Sequence, residues 1–225
     1  MKYPVKFDLD LKRNPYKGLY IAIEGIDGCG KSTQIDNLKN WFEEEGKSII
    51  LTSEPRKKES LVGKLIHAAL RSKVKLTPLC FQDLYSAERE LNHESVVVPT
   101  LKKGHVVLSH RCFWSAVAYG VFDKGEKKYT VSNSNVIIVA NGILSRYHQF
   151  IAPDYTFYLA VSAKTAMGRI LKMGKRREIY EKKDKLLRII AGYDYLLKKF
   201  GKEIIMINGE QEKNRVTEKI VSWIK

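Results

Sequence analysis

Cysteine is scarce in this 225-residue chain, where Cys29, Cys80 and Cys112 are the only three, an odd and sparse set that does not make a disulfide framework. Long apolar runs are missing as well, none approaching the roughly 18 residues that a membrane span requires. The first eleven residues place Lys6, Asp8 and Asp10 where a signal peptide would carry its apolar core. These absences exclude a membrane protein and a disulfide-stapled secreted domain, and they point to a reduced, cytoplasmic protein. Neither an internal repeat nor a low-complexity tract is present, and 44% hydrophobic with 29% charged residues excludes a disordered chain. Acidic residues are few relative to basic ones: 25 Asp plus Glu face 40 Lys plus Arg, a formal charge of +15. Such a surplus suits a nucleic-acid binder, a protein of anionic lipid surfaces, or an enzyme whose substrates are phosphates.

What is present is an alternation of short strands and helices. Five apolar runs rich in β-branched and aromatic residues, 19–24, 48–52, 105–109, 155–161 and 203–207, have the length of buried parallel strands. Between them Ile35, Leu38, Trp41 and Phe42 form a helical stripe that stops at Gly46. Leu61, Val62, Leu65, Ile66 and Ala69 form another behind the N-cap candidate Ser60. Leu186, Ile190, Tyr193, Leu197 and Phe200 form a third, ending at Gly201. The pattern predicts a three-layer α/β sandwich around a mostly parallel sheet. Residues 1–17 read as an N-terminal extension with an edge-strand alternation and a break at Asn14-Pro15, and 18–225 as a single domain. The polar stretch 123–134 reads as a surface excursion.

The strongest motif is Gly25-Ile26-Asp27-Gly28-Cys29-Gly30-Lys31-Ser32, a full match to the phosphate-binding P-loop, followed by Thr33. It follows the first strand and opens the first helix, as the chemistry demands. Glycines let backbone N–H groups curl around phosphate oxygens, Lys31 reaches the β and γ phosphates, and the Ser32 hydroxyl ligates Mg²⁺. Cys29 occupies an unconstrained position. The motif alone leaves GTPase, ATPase and kinase open.

Further motifs follow in order: Thr52-Ser53-Glu54-Pro55, then Leu84-Tyr85-Ser86-Ala87-Glu88-Arg89, Ala118-Tyr119, Pro153 to Leu159, and Gly192-Tyr193. With the P-loop they make residues 19–225 resemble thymidylate kinase, the P-loop family that phosphorylates dTMP with ATP. The resemblance implies a five-stranded parallel sheet with the P-loop strand central, ATP and Mg²⁺ as partners, and often a homodimer. Residue by residue it places Asp27, Glu54, Pro55 and Arg56 beside the acceptor, Arg111 on its phosphate, Tyr85 and Arg89 on the base, and Tyr119 against the sugar.

Some of this has independent physical support. Glu54-Pro55-Arg56 follows the second strand at its carboxyl end, where open α/β sheets place ligands. In a helix expected from Thr77 to Glu94, Leu84, Ala87 and Leu91 form an apolar face, while Tyr85, Arg89 and Asn92 share another. An aromatic plate beside a guanidinium suits a nucleobase. Tyr85 stands where the family has Phe, and Ala116 where the family often offers Asn or Thr to the base.

The third strand leads into Ser109-His110-Arg111, where the family has Asp-Arg. The resemblance gives that Asp a part in positioning Mg²⁺, a hard cation that prefers oxygen, so His110 implies reduced or shifted activity. Residues 164–202 carry 13 Lys plus Arg against 4 Asp plus Glu. Within them, residues of about 172–181 occupy the family's lid, whose arginine, Arg176 or else Arg177, would stabilise the transferring phosphoryl group. Two alternatives stay open: a kinase for another nucleoside or nucleoside monophosphate, and a degenerate P-loop protein that binds nucleic acid through this basic stretch.

Overall fold

The structure is a computed structural model that describes residues 9–56, 59–120, 134–147, 149–172 and 183–225. In chain order it runs β1 (Leu19–Glu24), α1 (Lys31–Glu44), β2 (Ile49–Ser53), α2 (Leu61–Leu70) and α3 (Pro78–Asn92). A π-helical turn (His93–Val97) then leads into α4 (Val98–Lys102), β3 (Val106–His110), α5 (Phe113–Gly120) and α6 (Ser134–Leu144). The remainder is β4 (Tyr155–Ala160), α7 (Ala163–Lys172), α8 (Lys183–Phe200), β5 (Ile205–Asn208) and α9 (Lys213–Ile224).

Five strands form one all-parallel sheet in the order β2-β3-β1-β4-β5, with the P-loop strand at its centre. Parallel strands need crossovers, so helices cover both faces and the inner strands are mostly apolar, with Glu24, Ser109, His110 and Thr156 as their polar members. In β1 the residues Ile21, Ala22 and Ile23 are fully buried. They pack with Leu38 and Phe42 of α1, Phe157 of β4 and Tyr193 of α8 in one core. β2 departs from the expected buried strand. It lies at the sheet edge, and Ile50 and Leu51 are exposed there.

The capping chemistry follows the sequence. Ser60 accepts from the Gly63 N–H at 2.8 Å, and Thr77 caps α3 through the Cys80 N–H at 3.2 Å. Gly46, at φ 70°, closes α1 with the left-handed turn that a glycine tolerates. Residues 9–17 of the expected extension are tied to the domain. Lys12 bridges Ile151 in parallel, Asn14 Nδ2 donates to Gly18 O and to Asp154, and Arg13 forks onto Glu203 at 2.7 Å.

Helix α3 corrects the sequence reading in two ways. It ends at Asn92, where the π turn takes over, and its expected apolar face is divided, with Leu84 packed beside the cluster of Ile66, Ala69, Leu70 and Phe81 and the rest turned outward. Ala87 is exposed and Leu91 is 46% exposed, whereas Glu88, Arg89 and Asn92 are buried. Each buried polar group has a partner from β2 or the loop that follows it, since Asn92 accepts from Thr52 Oγ1 at 2.7 Å, and Arg56 and Glu54 hold the other two. Pairing, not hydropathy, sets the orientation. The surface excursion expected at 123–134 and the lid at 172–181 fall almost wholly outside the described residues.

Candidate active site

The P-loop sits between β1 and α1 with Gly25, Gly28 and Gly30 at positive φ of 140°, 81° and 108°. At Gly28 a Cβ would also lie 2.5 Å from the Ala166 carbonyl oxygen of α7, so both conformation and space demand glycine. Ile26 and Cys29 are buried under the loop, while Ser32 and Thr33 are exposed at the start of α1. Lys31 is buried, and its Nζ donates to the Gly25 and Ile26 carbonyls at 3.0 and 2.9 Å, with Asp27 3.8 Å away. Burial, then repulsion from Arg111, lowers its pKa.

Arg111 follows β3 at φ 78°, a region that non-glycine residues seldom occupy. Its N–H reaches back to Ile23 O at 3.0 Å, and the guanidinium folds over the P-loop. Nη1 donates to Gly25 O at 2.8 Å. Nη2 donates to Asp27 and to the Tyr119 hydroxyl, both at 2.6 Å. The guanidinium carbon stands 4.8 Å from the Tyr119 ring centre.

Sequence reasoning missed the residue that holds this cluster. Glu24, the last residue of β1, is fully buried. Its carboxylate accepts from the N–H groups of Cys112 and Ser115 at 2.8 and 3.2 Å, from Ser115 Oγ at 2.6 Å and from the Tyr193 hydroxyl at 2.7 Å. Glu24 thus fastens the start of α5, α8 and, at 3.9 Å, Arg111 to the mouth of the P-loop. The only sequence signal was a carboxylate ending an otherwise apolar strand.

A second buried pair joins β2 to α3. Arg89 Nε donates to Glu54 at 2.5 Å, and its guanidinium carbon lies 4.5 Å above the Tyr147 ring. Burial pushes the Glu54 carboxyl up to about 7, against the pull of Arg89. The Glu54–Pro55 peptide is cis. Arg56 differs from expectation, because it bonds Glu88 at 2.9 Å and Ser95 at 3.1 Å and does not line the cavity. Glu88 draws it toward α3.

The predicted residues otherwise converge. A cavity of about 530 Å³ is lined by Asp27, Ser32, Glu54, Pro55, Tyr85, Arg89, His110, Arg111, Ala116 and Tyr119, with Gln82, Phe81, Asp36 and Glu59 among the rest. Tyr85 stacks against Phe81 with ring centres 6.1 Å apart and planes 25° apart. Burial, reinforced by Lys31 and Arg111, pushes His110 well below the usual imidazole range, so it is neutral at pH 7. One end of the cavity is therefore an anion-ready loop with two cations, and the other an aromatic plate beside a guanidinium.

This geometry has counterparts. The model of the family described as thymidylate kinase matches residues 23–220. The chain belongs to the thymidylate kinase family. A curated thymidylate kinase from Thermoanaerobacter sp. (strain X514) is 32% identical over 212 residues, covering 93% of this chain and 98% of its own. One from Mycoplasma mobile is 30% identical over 210 residues, covering 91% and 96%. A probable thymidylate kinase from Pyrococcus horikoshii is 29% identical, covering 93% and 97%. Membership accounts for the P-loop strand at the centre of the five-stranded parallel sheet. Arg176 and Arg177, the lid candidates of the thymidylate kinase resemblance, lie outside the described residues. Among the described residues, no helix is long and apolar enough to cross a membrane.

Proposed function

We propose that this protein transfers the γ-phosphoryl group of ATP to dTMP, giving ADP and dTDP. The observation that carries this reading is one cavity that joins the P-loop mouth and Arg111 to Tyr85 and Arg89. The P-loop N–H groups of residues 25–32 would cradle the triphosphate, and Lys31 would leave its two loop carbonyls to meet the β and γ oxygens. Arg111 would hold the acceptor phosphate against the P-loop, Tyr119 would lie along the sugar, and Tyr85 would stack on the base while Arg89 donates to a base carbonyl. An acceptor phosphate with a second pKa near 6 is mostly dianionic at pH 7, so no general base is needed. Arg176, and after it Arg177, is the candidate for neutralising charge on the transferring group.

The donor set suits Mg²⁺. The Ser32 hydroxyl and the carboxylates Asp27 and Asp36 on the cavity wall are oxygen donors, and Mg²⁺ is commonly held by one or two such groups plus substrate phosphates. Among the described residues there is no cluster of three or more His, Cys, Asp or Glu that would hold a metal without nucleotide. The ion, when bound, supplies charge neutralisation between the phosphates.

We also propose a homodimer. Leu61 of α2 and Leu79 of α3 are 84% and 67% exposed, and Leu65, Leu91 and Val74 are exposed with them. A second copy covering these residues would remove the large exposed apolar side chains of both helices from water. A cytoplasmic site of action fits the reaction and the sparse cysteines. The exposed lysines Lys183, Lys198 and Lys199 of α8 read as solvated charge, and no described feature favours the nucleic-acid alternative.

Comparing Mg-ATP-dependent ADP release with dTMP, dUMP, UMP, CMP and thymidine tests the activity. The expected order places dTMP first. Greater turnover with thymidine or a ribonucleotide would overturn the reading.

A further inference from the structure

We propose that Gln82 reads the acceptor base, its side-chain carbonyl accepting from the thymine N3–H while Arg89 donates to the adjacent O4. The inference rests on the dTMP reading above and adds the residue that separates thymine from cytosine. Gln82 stands three residues before Tyr85 and seven before Arg89, so the three share one side of α3, and all three line the cavity.

The amide's sense is set by its neighbours. Its Nε2 donates to the Ala116 carbonyl at 3.4 Å, which leaves Oε1 for something else. Oε1 is buried and has no partner among the described residues. A carbonyl left in that state costs roughly 1–3 kcal/mol. Arg89, 3% exposed, is in the complementary condition. Its Nε is committed to Glu54, and its buried Nη1 has no partner among the described residues. One unpaired acceptor and one unpaired donor thus belong to side chains on the same cavity wall, and the soft terminal torsion of a glutamine lets the amide turn toward a ligand.

The edge that satisfies both is a donor next to an acceptor. Thymine and uracil offer N3–H beside O4. Cytosine reverses the order, presenting the N3 lone pair to the glutamine carbonyl and the exocyclic amine to the guanidinium. A site whose buried polar groups would be left unpaired discriminates strongly. Two further observations favour this assignment. Ala116 has only a methyl to offer the base from α5, so the reading falls to α3. At Gly120 a Cβ would lie 2.7 Å from Gln82 Nε2, so the absence of a side chain there makes room for the amide.

The test measures kcat/KM of the full chain and of Gln82→Leu with dTMP, dUMP, dCMP and N3-methyl-dTMP. In the variant dTMP and dUMP should fall together by about 10- to 100-fold, mainly through KM. Activity on dCMP should stay essentially unchanged, so that the dTMP to dCMP ratio drops at least tenfold. An unchanged ratio, or an equal fall for all three, would overturn the proposal. Independently of how the variant folds, the unaltered protein should reject N3-methyl-dTMP by at least tenfold relative to dTMP, and ready acceptance would also overturn it. An unaltered protein that phosphorylates none of these nucleotides would overturn the functional reading and this inference with it.

Discussion

Glu24 carries a carboxylate into a place without water, and it is tolerated there because backbone, hydroxyl and thiol donors surround it. Its value to the site is indirect, since the same carboxylate places Ser115 and Tyr193, both of which touch the Arg111 guanidinium. Replacing it by glutamine keeps the shape but turns one oxygen into a donor that faces other donors. We expect Glu24→Gln to lower unfolding free energy by about 1–3 kcal/mol in urea and to raise KM for dTMP through a displaced Arg111. A variant as stable and as tight as the parent would show that the network is dispensable. His110 poses the opposite case, a neutral ring that feels the charges of both Lys31 and Arg111, where a carboxylate would be attracted by both. His110→Asp should raise Mg²⁺-dependent turnover by roughly tenfold or more, the scale on which groups behind a metal site act. Equal or lower turnover would mean that the imidazole is no handicap.

At the level of elements, the π turn between α3 and α4 depends on one proton. His93 is buried, its Nε2 accepts from the Ile151 N–H at 3.1 Å, and its ring lies 5.1 Å from that of Phe150. Burial and the nearby Lys12 push its pKa down to about 4 from 6.5. The folded form therefore binds fewer protons than the unfolded chain between these values, and stability from this group is present above about 6.5 and lost as pH falls toward 4. At roughly 1.4 kcal/mol per unit, the loss amounts to about 3 kcal/mol. The pH dependence of the melting temperature over this window should be flatter in His93→Gln than in the parent, and parallel curves would refute the assignment.

Elements also show which parts of the fold were legible. The P-loop could be read because strand, glycines, lysine and helix are contiguous, and chemistry constrains each. The strands were legible to within two residues because buried parallel strands are uninterrupted apolar runs. Helix α3 was not, because its orientation is decided by Glu54 and Arg56, which lie outside it and whose attraction leaves no periodic trace. For the same reason Arg56 was assigned to the cavity although Glu88 and Ser95 hold it elsewhere. Gln82 and Glu24 escaped notice because an isolated polar residue gains meaning only from what the fold sets beside it.

For the whole molecule, the exposed leucines of α2 and α3 argue for a partner, and a second copy of the chain is the occupant proposed. Leu61→Asp combined with Leu91→Asp should convert a dimer to a monomer in light scattering while leaving the melting temperature of the monomeric domain nearly unchanged, since neither side chain is packed in the core. A monomeric parent protein would remove the proposal. The surplus of +15 takes on a plainer meaning at this scale. Among the described cations Arg89 and Arg111 line the cavity while Lys31 and Arg169 hold P-loop carbonyls, and each is already engaged by protein oxygens.

That last arrangement makes the two substrates interdependent. Lys31 and Arg111 share Gly25 O and both approach Asp27, so drawing Lys31 away to a triphosphate removes one of the cations that Arg111 shares those oxygens with and alters what Arg111 can offer an incoming monophosphate. Binding at one subsite must then change affinity at the other, and thermodynamic reciprocity requires the same factor in both directions. Titrating dTMP with and without a non-hydrolysable ATP analogue, then the analogue with and without dTMP, would return that factor twice.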